Sequence, residues 1–405
     1  MVENIVQASR FNPLSPEFRT NPYPFYDALR AAAPVHWMSS IDQEAWFVTS
    51  YKEAFSILKD CRFEKRMRIP ETSEAYGPLA HIQKNMMLFK NPPDHTRLRM
   101  LVSKAFTPHM IERLYPYIEE TVNELLHKAQ HTGKMELISE FAFPLPVIVI
   151  TKMLGIPVDD RDQFREWANV LIRTIDLSRT DESLEQGGEV ARNLVGYFHS
   201  LIGQRRQHPQ NDLMSQLIQA EEEGDRLNED ELVAMCILLL VAGHETTMNL
   251  IGNGMLSLLQ HPQQCEKLRE NPALISTAIE EILRYESPTQ MTVRFATEDV
   301  EIGGKVIRKG QQVYIVLGAA NRDPEVFSDP DQLDITRTPN HHLAFGTGIH
   351  FCLGAPLARL EAEIAIRTLL QRVPTLKLDT NIPQWRGLIG FRSLHALPVS
   401  FEKTR

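Results

Sequence analysis

The sequence from 345 to 354 reads Phe345-Gly346-Thr347-Gly348-Ile349-His350-Phe351-Cys352-Leu353-Gly354, and it places one cysteine between glycines. These glycines let the backbone turn tightly around the sulfur. Apolar residues then recur at helical spacing, and Pro356 lies near the first turn, where a proline costs no hydrogen bond. Cys352 is therefore predicted to lie at a helix N-terminus, where the helix dipole and free N–H groups favour the thiolate. Such a thiolate could be a nucleophile, a redox centre or a metal ligand.

A single cysteine is by itself more often a buried core residue than a ligand. The surrounding pattern, Phe-Gly-x-Gly-x-His-x-Cys-x-Gly, resembles the haem-ligand loop of the cytochrome P-450 family, and few other families carry it. The resemblance implies that Cys352 is the thiolate ligand of a haem b iron, a ligand that favours cleavage of the O–O bond. The implied activity is that of a monooxygenase that uses O2.

Length and composition agree with one large soluble enzyme. The chain has 405 residues, 43% of them hydrophobic, which is enough to bury a sizeable core. Because no Gly/Ser tract, internal repeat or long charge block divides it, we expect residues 1–405 to form a single domain. The four cysteines, Cys61, Cys236, Cys265 and Cys352, are scattered and form no C-x-x-C pair, which favours a reducing compartment and argues against disulfides or a zinc site.

The sequence also indicates where the protein acts. No basic region followed by an apolar stretch is found at the N-terminus, so no secretory signal is evident. The longest apolar run, 235–243, is too short to span a bilayer. We therefore expect a cytoplasmic protein without membrane contact. The net charge of −9 gives no support to nucleic-acid binding.

Helical periodicity dominates the chain. The predicted helices cover residues 21–30, 95–105, 109–131, 141–154, 159–173, 186–206, 211–221, 228–260, 262–269, 272–285 and 354–372. The predicted strands form a hairpin from 36–38 and 46–49 and a small antiparallel set at 293–296, 300–302, 306–307 and 312–316. The fold is therefore predicted to be mainly α with small antiparallel β-sheets, which is also the architecture that the resemblance implies.

A polar cluster interrupts the longest predicted helix. Residues 236–243 are apolar on all faces, which predicts burial, but His244-Glu245-Thr246-Thr247 follow directly. The zinc-protease pattern H-E-x-x-H fails because Met248 occupies the position of the second histidine. A structural alternative has the threonine hydroxyls bonded back to the preceding turn and Glu245 in a buried pair.

The stretch from Ala242 to Thr247, which contains this cluster, resembles the oxygen-activation motif of the P-450 family. The resemblance implies that Ala242 and Gly243 leave space for dioxygen beside the iron. It implies further that Thr246 donates a hydrogen bond to the bound oxygen and that Glu245 relays protons from solvent through water.

The family also carries a buried structural pair that matches Glu281 and Arg284, one helical turn apart. By spacing alone such a pair is usually an ordinary surface ion pair. A downstream arginine commonly completes the family's cluster, but Gln332 occupies the matching position here. Arg337 follows shortly and is the candidate replacement.

Haem propionates need cationic or hydrogen-bonding partners. The resemblance assigns this role to His95, Arg99, Arg294 and His350, each of which could singly be a surface charge or a capped histidine.

Electrons must come from another protein, because no dinucleotide-binding G-x-G-x-x-G or phosphate loop is found. NAD(P)H would act indirectly, through a ferredoxin or flavodoxin and its reductase. Arg97, Lys104 and Arg359 could form the docking patch, or could be ordinary surface charges.

The substrate is less closely defined. Apolar residues in regions that line the cavity of relatives are the candidates: Met86, Leu88, Leu239, Met291, Val293, Ile389 and Phe391. The whole chain resembles bacterial members typified by the biotin-pathway enzyme, which cleaves carrier-bound fatty acyl chains. This implies a fatty acyl substrate, hydroxylated or cleaved, an acyl carrier protein as partner, and a monomeric enzyme.

Several alternatives stay open at this point. Related bacterial enzymes hydroxylate steroids and macrolides, so the resemblance does not fix the substrate. A peroxide-driven enzyme would need a different acid–base arrangement near the iron. A non-catalytic haem sensor would explain Cys352 but not the motif at Gly243-His244-Glu245-Thr246.

Overall fold

The centre of the fold is a 32-residue helix, Glu229–Gln260. It begins at a capping box in which the side chains of Asn228 and Glu231 each accept a hydrogen bond from the other residue's backbone N–H. By length and composition this helix could cross a membrane, yet 78% of its apolar window is buried inside the protein. It is therefore the core helix around which the other elements pack.

The structure, a computed structural model, describes residues 12–39, 44–66, 76–222, 227–379 and 382–403. In chain order the α-helices of this part are α1 (Pro16–Thr20), α2 (Tyr23–Ala32), α3 (Tyr51–Lys59), α4 (Gly77–Asn85), α5 (Asp94–Ala105), α6 (Pro108–Glu112), α7 (Tyr115–Gln130), α8 (Pro144–Leu154), α9 (Arg161–Ile175), α10 (Asp181–Gln207), α11 (Leu213–Glu222), α12 (Glu229–Gln260), α13 (Pro262–Glu270), α14 (Ile275–Tyr285), α15 (Leu317–Ala320) and α16 (Ala355–Arg372). A π-helical turn, Ile138–Ala142, precedes α8.

The strands of the described residues are short and form four small sheets. They are β1 (Val35–Ser39), β2 (Glu44–Val48), β3 (Phe63–Glu64), β4 (Lys134–Glu136), β5 (Met291–Ala296), β6 (Val300–Ile302), β7 (Lys305–Ile307), β8 (Gln312–Val316), β9 (Lys377–Leu378), β10 (Gln384–Trp385), β11 (Leu394–Ala396) and β12 (Pro398–Ser400). The largest sheet has the order β1-β2-β8-β5-β3, and the others are β10-β11, β4-β12-β9 and β6-β7. All pairings are antiparallel except β2 with β8, where Phe47 lies opposite Tyr314.

The mainly α prediction is confirmed, with differences at particular elements. The helix expected at 109–131 is two helices, α6 and α7, because Pro116 can start the second but cannot continue the first. Helix α10 begins five residues earlier than expected, at a capping box between Thr180 and Ser183. Helices α1, α3, α4 and α15 are not among the predicted ones. The late strands do not form one antiparallel set, because β6 and β7 pair only with each other, whereas β5 and β8 join the largest sheet and β8 also pairs in parallel with the distant β2.

Two hydrogen bonds join the C-terminal part of the chain to the end of α9. We call residues 386–393, between β10 and β11, the C-terminal turn. The carboxylate of Asp176, directly after α9, is buried and accepts hydrogen bonds from Ile389 N at 3.1 Å and Gly390 N at 2.9 Å. These two hydrogen bonds, which we call the Asp176 clasp, hold the C-terminal turn against the connection between α9 and α10.

Candidate functional site

The cysteine loop is shaped by two glycines. Gly346 and Gly348 have φ values of 66° and 73°, which side chains disfavour, and a Cβ on Gly348 would lie 2.6 Å from Leu58 O. Gly354, with φ of −79°, is the N-cap residue of α16 and uses no left-handed backbone. The N–H of Cys352 donates to Phe345 O at 3.0 Å, which closes the loop just before the helix.

Opposing effects act on the sulfur of Cys352. Burial raises the pKa of its thiol, while the N–H groups of Gly354 and Ala355 and the guanidinium of Arg99 act in the opposite direction. The helix N-terminus thus acts in favour of the thiolate, and burial acts against it. A bound metal cation would deprotonate such a thiol.

The four residues assigned to the propionates lie together near this loop. The rings of His95 and His350 are 4.3 Å apart. The pKa of His350 falls to about 2, through burial and then through the charges of Arg294, His95, Lys65 and Arg99. Burial also lowers the pKa of Arg294, which is 3% exposed, to about 10.

Lys65 is a fifth member that sequence reasoning missed. Its Nζ donates to Thr292 Oγ1 at 3.0 Å, and burial together with the nearby Arg294 lowers its pKa well below the usual value. Lys65 reaches this place because it directly follows β3, which pairs with β5. No local pattern in the sequence indicates a pairing of strands so far apart.

This cluster tests the fit of the haem that the resemblance implies. Within the described ranges, Lys65, Arg99 and Arg294 form no ion pair with a carboxylate, although Lys65 is half-buried and Arg294 is buried. Buried positive charge without a counter-charge is unfavourable. Two propionate groups would supply the missing negative charge, and Cys352 would supply the metal ligand, so the residues fit the group.

One face of α12 differs from the rest of the helix. Ala242 is exposed and Leu239, Gly243 and Thr246 are half-buried, although most of their neighbours are buried. The hydroxyl of Thr246 donates to Ala242 O at 2.8 Å, which is the backbone bond of the structural alternative. A Cβ on Gly243 would meet only Ile150 side-chain atoms, at an ordinary 3.5 Å, so packing within the protein does not require glycine there.

A small apolar cavity of about 40 Å³ lies beside this face. Its walls come from α4, α9, α12 and the turn after α4, and Met86, Leu88 and Ala242 are among the lining residues. Ile389 and Phe391 instead line a cleft at the C-terminal turn. Of the remaining candidates, Leu239 lies one helical turn before Ala242, whereas Met291 and Val293 lie on β5.

The carboxylate of Glu245 is 1% exposed and is fully engaged within the protein. Arg386 Nη1 donates to both of its oxygens, at 2.7 and 3.0 Å. Ser393 Oγ donates at 3.0 Å and Asn249 Nδ2 at 3.3 Å. The buried pair that the structural alternative expects is therefore present, and its partner comes from the C-terminal turn.

His244 is buried beside Glu245. Its ring packs edge-on against Phe143, with centroids 4.3 Å apart. Burial, and secondarily the charges of Arg386 and Arg165, lower its pKa to about 3, so the imidazole is neutral.

The structural pair lies at the centre of a larger cluster. Arg284 donates to both oxygens of Glu281 at 2.8 Å, and both side chains are fully buried. Arg337 Nε donates to the same carboxylate at 3.1 and 3.2 Å, and so takes the third position. Gln332 contributes only its carbonyl, which accepts from Arg284.

The three candidate docking residues differ in their surroundings. Arg97 pairs with Glu231 at the start of α12. Arg359 pairs with Glu280 at 2.6 Å and lies over the ring of Phe345. Lys104 is exposed on α5.

Comparison with known proteins agrees with this geometry. The sequence profile described as Cytochrome P450 matches residues 14–381. The chain is 55% identical over 388 residues to the "Biotin biosynthesis cytochrome P450" of Bacillus subtilis, covering 96% of this chain and 98% of that protein. It is 42% identical to "Polyketide biosynthesis cytochrome P450 PksS" of the same organism, covering 97% and 99%.

Among solved structures, P450BioI in complex with an acyl carrier protein carrying hexadec-9Z-enoic acid matches with a TM-score of 0.92 and 55% identity, covering 95% of this chain and 99% of that one. Because the proteins of this family are monooxygenases, the alternative of a non-catalytic haem sensor is excluded. The chain therefore belongs to the cytochrome P450 family, and it is a haem-thiolate monooxygenase that uses haem b, O2 and electrons from NAD(P)H supplied through partner proteins.

Proposed function

We propose that this monooxygenase oxidises a long fatty acyl chain at an internal carbon, and that an acyl carrier protein presents the chain. The observation that carries the proposal is the apolar cavity, which extends from Met86 and Leu88 to Ala242 on α12. Burial of methylene groups contributes about 0.8 kcal/mol each, so every methylene of a chain that packs against these apolar walls adds to the binding energy.

The related proteins support this substrate class. The solved relative, P450BioI, holds a fatty acyl group attached to an acyl carrier protein, and the 55% identical sequence relative is named for biotin biosynthesis. The two polar residues of the cavity lining, Gln83 and Thr174, are few against its apolar surface, and the hydroxyl of Thr174 is already bonded to Leu171 O at 2.7 Å.

We assign the site residues as follows. Cys352 holds the iron, and Lys65, His95, Arg99, Arg294 and His350 hold the propionates. The haem, when bound, supplies the activation of dioxygen. Ala242 and Gly243 keep the cavity side of α12 open for dioxygen. Thr246 presents its hydroxyl on that side, and Glu245 supplies protons to the hydroxyl. Glu281 and Arg284 stabilise the fold.

We further propose that residues 1–405 act as one domain and as a cytoplasmic monomer. One continuous hydrophobic core includes residues from Tyr76 to Phe401, which supports a single domain. A ferredoxin or flavodoxin with its reductase would deliver the electrons.

The test is product analysis by mass spectrometry after turnover with palmitoleic acid, the same acid on an acyl carrier protein, a steroid panel and a macrolide panel. We expect in-chain oxidation of the acyl substrates, with the carrier-bound form preferred. Efficient, regioselective oxidation of a steroid or macrolide with no conversion of either acyl substrate would contradict the proposal.

A further inference from the structure

The carboxylate of Glu245 connects α12 to the C-terminal turn. It is buried, and two of its hydrogen-bond donors, Arg386 and Ser393, come from that turn. The next residue in the helix, Thr246, belongs to the face that borders the cavity. Glu245 therefore lies where a proton from the C-terminal turn could pass toward the cavity.

A narrow cleft of about 20 Å³ lies on the other side of these donors, lined in part by Arg19, Trp385, Arg386 and Ser393. In the part of the chain that the structure describes, Arg19 Nε and Trp385 Nε1 are buried donors without a hydrogen-bond partner. Buried donors are normally satisfied, and water is the usual partner where a cleft admits it.

The cleft lies close to bulk solvent. Gln384 and Gly387, on either side of Trp385 and Arg386, are exposed, and the side chain of Arg386 is 17% exposed. Ser393 is 1% exposed, so its hydroxyl lies between the cleft and the carboxylate.

We propose that protons reach Glu245 through the C-terminal turn, with Ser393 as the relay and Arg386 as the positioning residue. This inference rests on the proposed role of Glu245. In the relay, Ser393 Oγ gives its proton to Glu245 Oε1 and takes another from a water molecule in the cleft, which is itself reprotonated by a hydronium ion from bulk solvent. The hydroxyl and the water are both restored, one proton has moved from solvent to Glu245, and no electron is transferred.

Protonation also changes what holds Glu245 in place. The bond from Arg386 is strong because the acceptor is ionised. A neutral carboxyl group loses that attraction and keeps only the weaker bonds with Ser393 and Asn249. Arg386 thus keeps the ionised carboxylate facing Ser393, and it holds the protonated group less strongly.

The test compares Ser393→Ala with Ser393→Thr, which keeps a hydroxyl, and with Ser257→Ala, which removes a buried hydroxyl elsewhere on α12. Product and hydrogen peroxide are measured per NAD(P)H consumed, in H2O and in D2O. Positioned proton transfer typically contributes a hundredfold or more to the rate of catalysis, and water can partly replace a lost hydroxyl. We therefore expect Ser393→Ala to lower product per NAD(P)H about tenfold and to raise peroxide. Ser393→Thr should stay within about twofold of the wild type, and Ser257→Ala should resemble the wild type.

Two readouts do not depend on turnover. The spin-state change on substrate binding should be the same in Ser393→Ala as in the wild type. In urea unfolding, the effects of Ser393→Ala and Glu245→Gln should be non-additive, because both change the hydrogen bond between the same two side chains.

Glu245→Gln separates the two levels of the proposal. If Glu245→Gln uncouples the enzyme but Ser393→Ala leaves coupling and the D2O effect unchanged, the route through the C-terminal turn is wrong. If Glu245→Gln itself leaves coupling unchanged, the role of Glu245 fails, and the relay fails with it. Equal uncoupling by Ser393→Ala and Ser393→Thr would reduce Ser393 to a packing residue.

Discussion

Replacement of Arg337 by methionine tests how this chain completes the cluster around Glu281. Glu281 would lose the two bonds from Arg337 Nε, at 3.1 and 3.2 Å. It would keep the bidentate pair with Arg284 and the donors Asn340 Nδ2 at 3.1 Å and Asp334 N at 3.0 Å. Since a hydrogen bond to a charged group contributes about 1.5–3 kcal/mol, we expect the free energy of unfolding to fall by about 2 kcal/mol.

Arg284→Met is the stronger perturbation of the same cluster. It removes both short bonds to a fully buried carboxylate and leaves the carbonyls of Asn321, Pro330 and Gln332 without this donor. Breaking a buried ion pair typically costs about 3–5 kcal/mol, so Arg284→Met should exceed Arg337→Met. The double variant should be non-additive because both arginines bind one carboxylate.

The assay is urea unfolding of the haem-loaded protein, followed by circular dichroism. Arg308→Met is the matched control, since Arg308 pairs with Asp299 at 2.7 Å on the surface, where the two side chains are 66% and 50% exposed. Exposed pairs contribute about 0–1 kcal/mol. If Arg337→Met costs no more than Arg308→Met, Arg337 does not stabilise the cluster and the reasoning is refuted.

Three further predictions follow from the site. Cys352→His should retain some haem but lose the long-wavelength Soret band of the carbon-monoxide complex, and a retained band would exclude thiolate ligation by Cys352. Thr246→Ala should leave substrate binding intact while product per NAD(P)H falls about tenfold and peroxide rises; unchanged coupling would remove Thr246 from proton delivery. Burial raises the pKa of Glu280, but bonds from His342 and Arg359 outweigh burial and lower it from 4.5 to about 2. The folded-state pKa is thus depressed, so Glu280→Gln should destabilise the protein at pH 7. In urea unfolding, the difference in free energy between the variant and the wild type should shrink as pH falls from 4.5 toward about 2. A difference independent of pH would argue against the ion pair.

Local sequence patterns predicted the elements whose determinants lie close together in the chain. The core helix follows from an apolar run with a capping box at its start, and the cysteine loop follows from its spaced glycines. Arg337 could be proposed as a partner of Glu281 because it lies only a few residues beyond Gln332. In these places periodicity and spacing already contain the structural information.

Contacts between distant segments could not be predicted in this way. Glu245 and Arg386 are 141 residues apart, and Lys65 and Thr292 are 227 residues apart. Neither Arg386 nor Lys65 stands in a pattern that indicates a partner. The pKa of Cys352 also depends on burial by distant residues, which outweighs the local effect of the helix N-terminus.

The hydrogen bonds of the Asp176 clasp make the opening of the C-terminal turn measurable. The N–H groups of Ile389 and Gly390 are buried while they donate to the carboxylate of Asp176, so they can exchange with deuterium only when the C-terminal turn separates from the end of α9. Exchange at these two amides would therefore report how often this part of the protein opens. A long acyl chain that reaches the end of α9, where Thr174 and Ile175 line the cavity, would slow that exchange, whereas a small ligand confined near Ala242 would leave it unchanged.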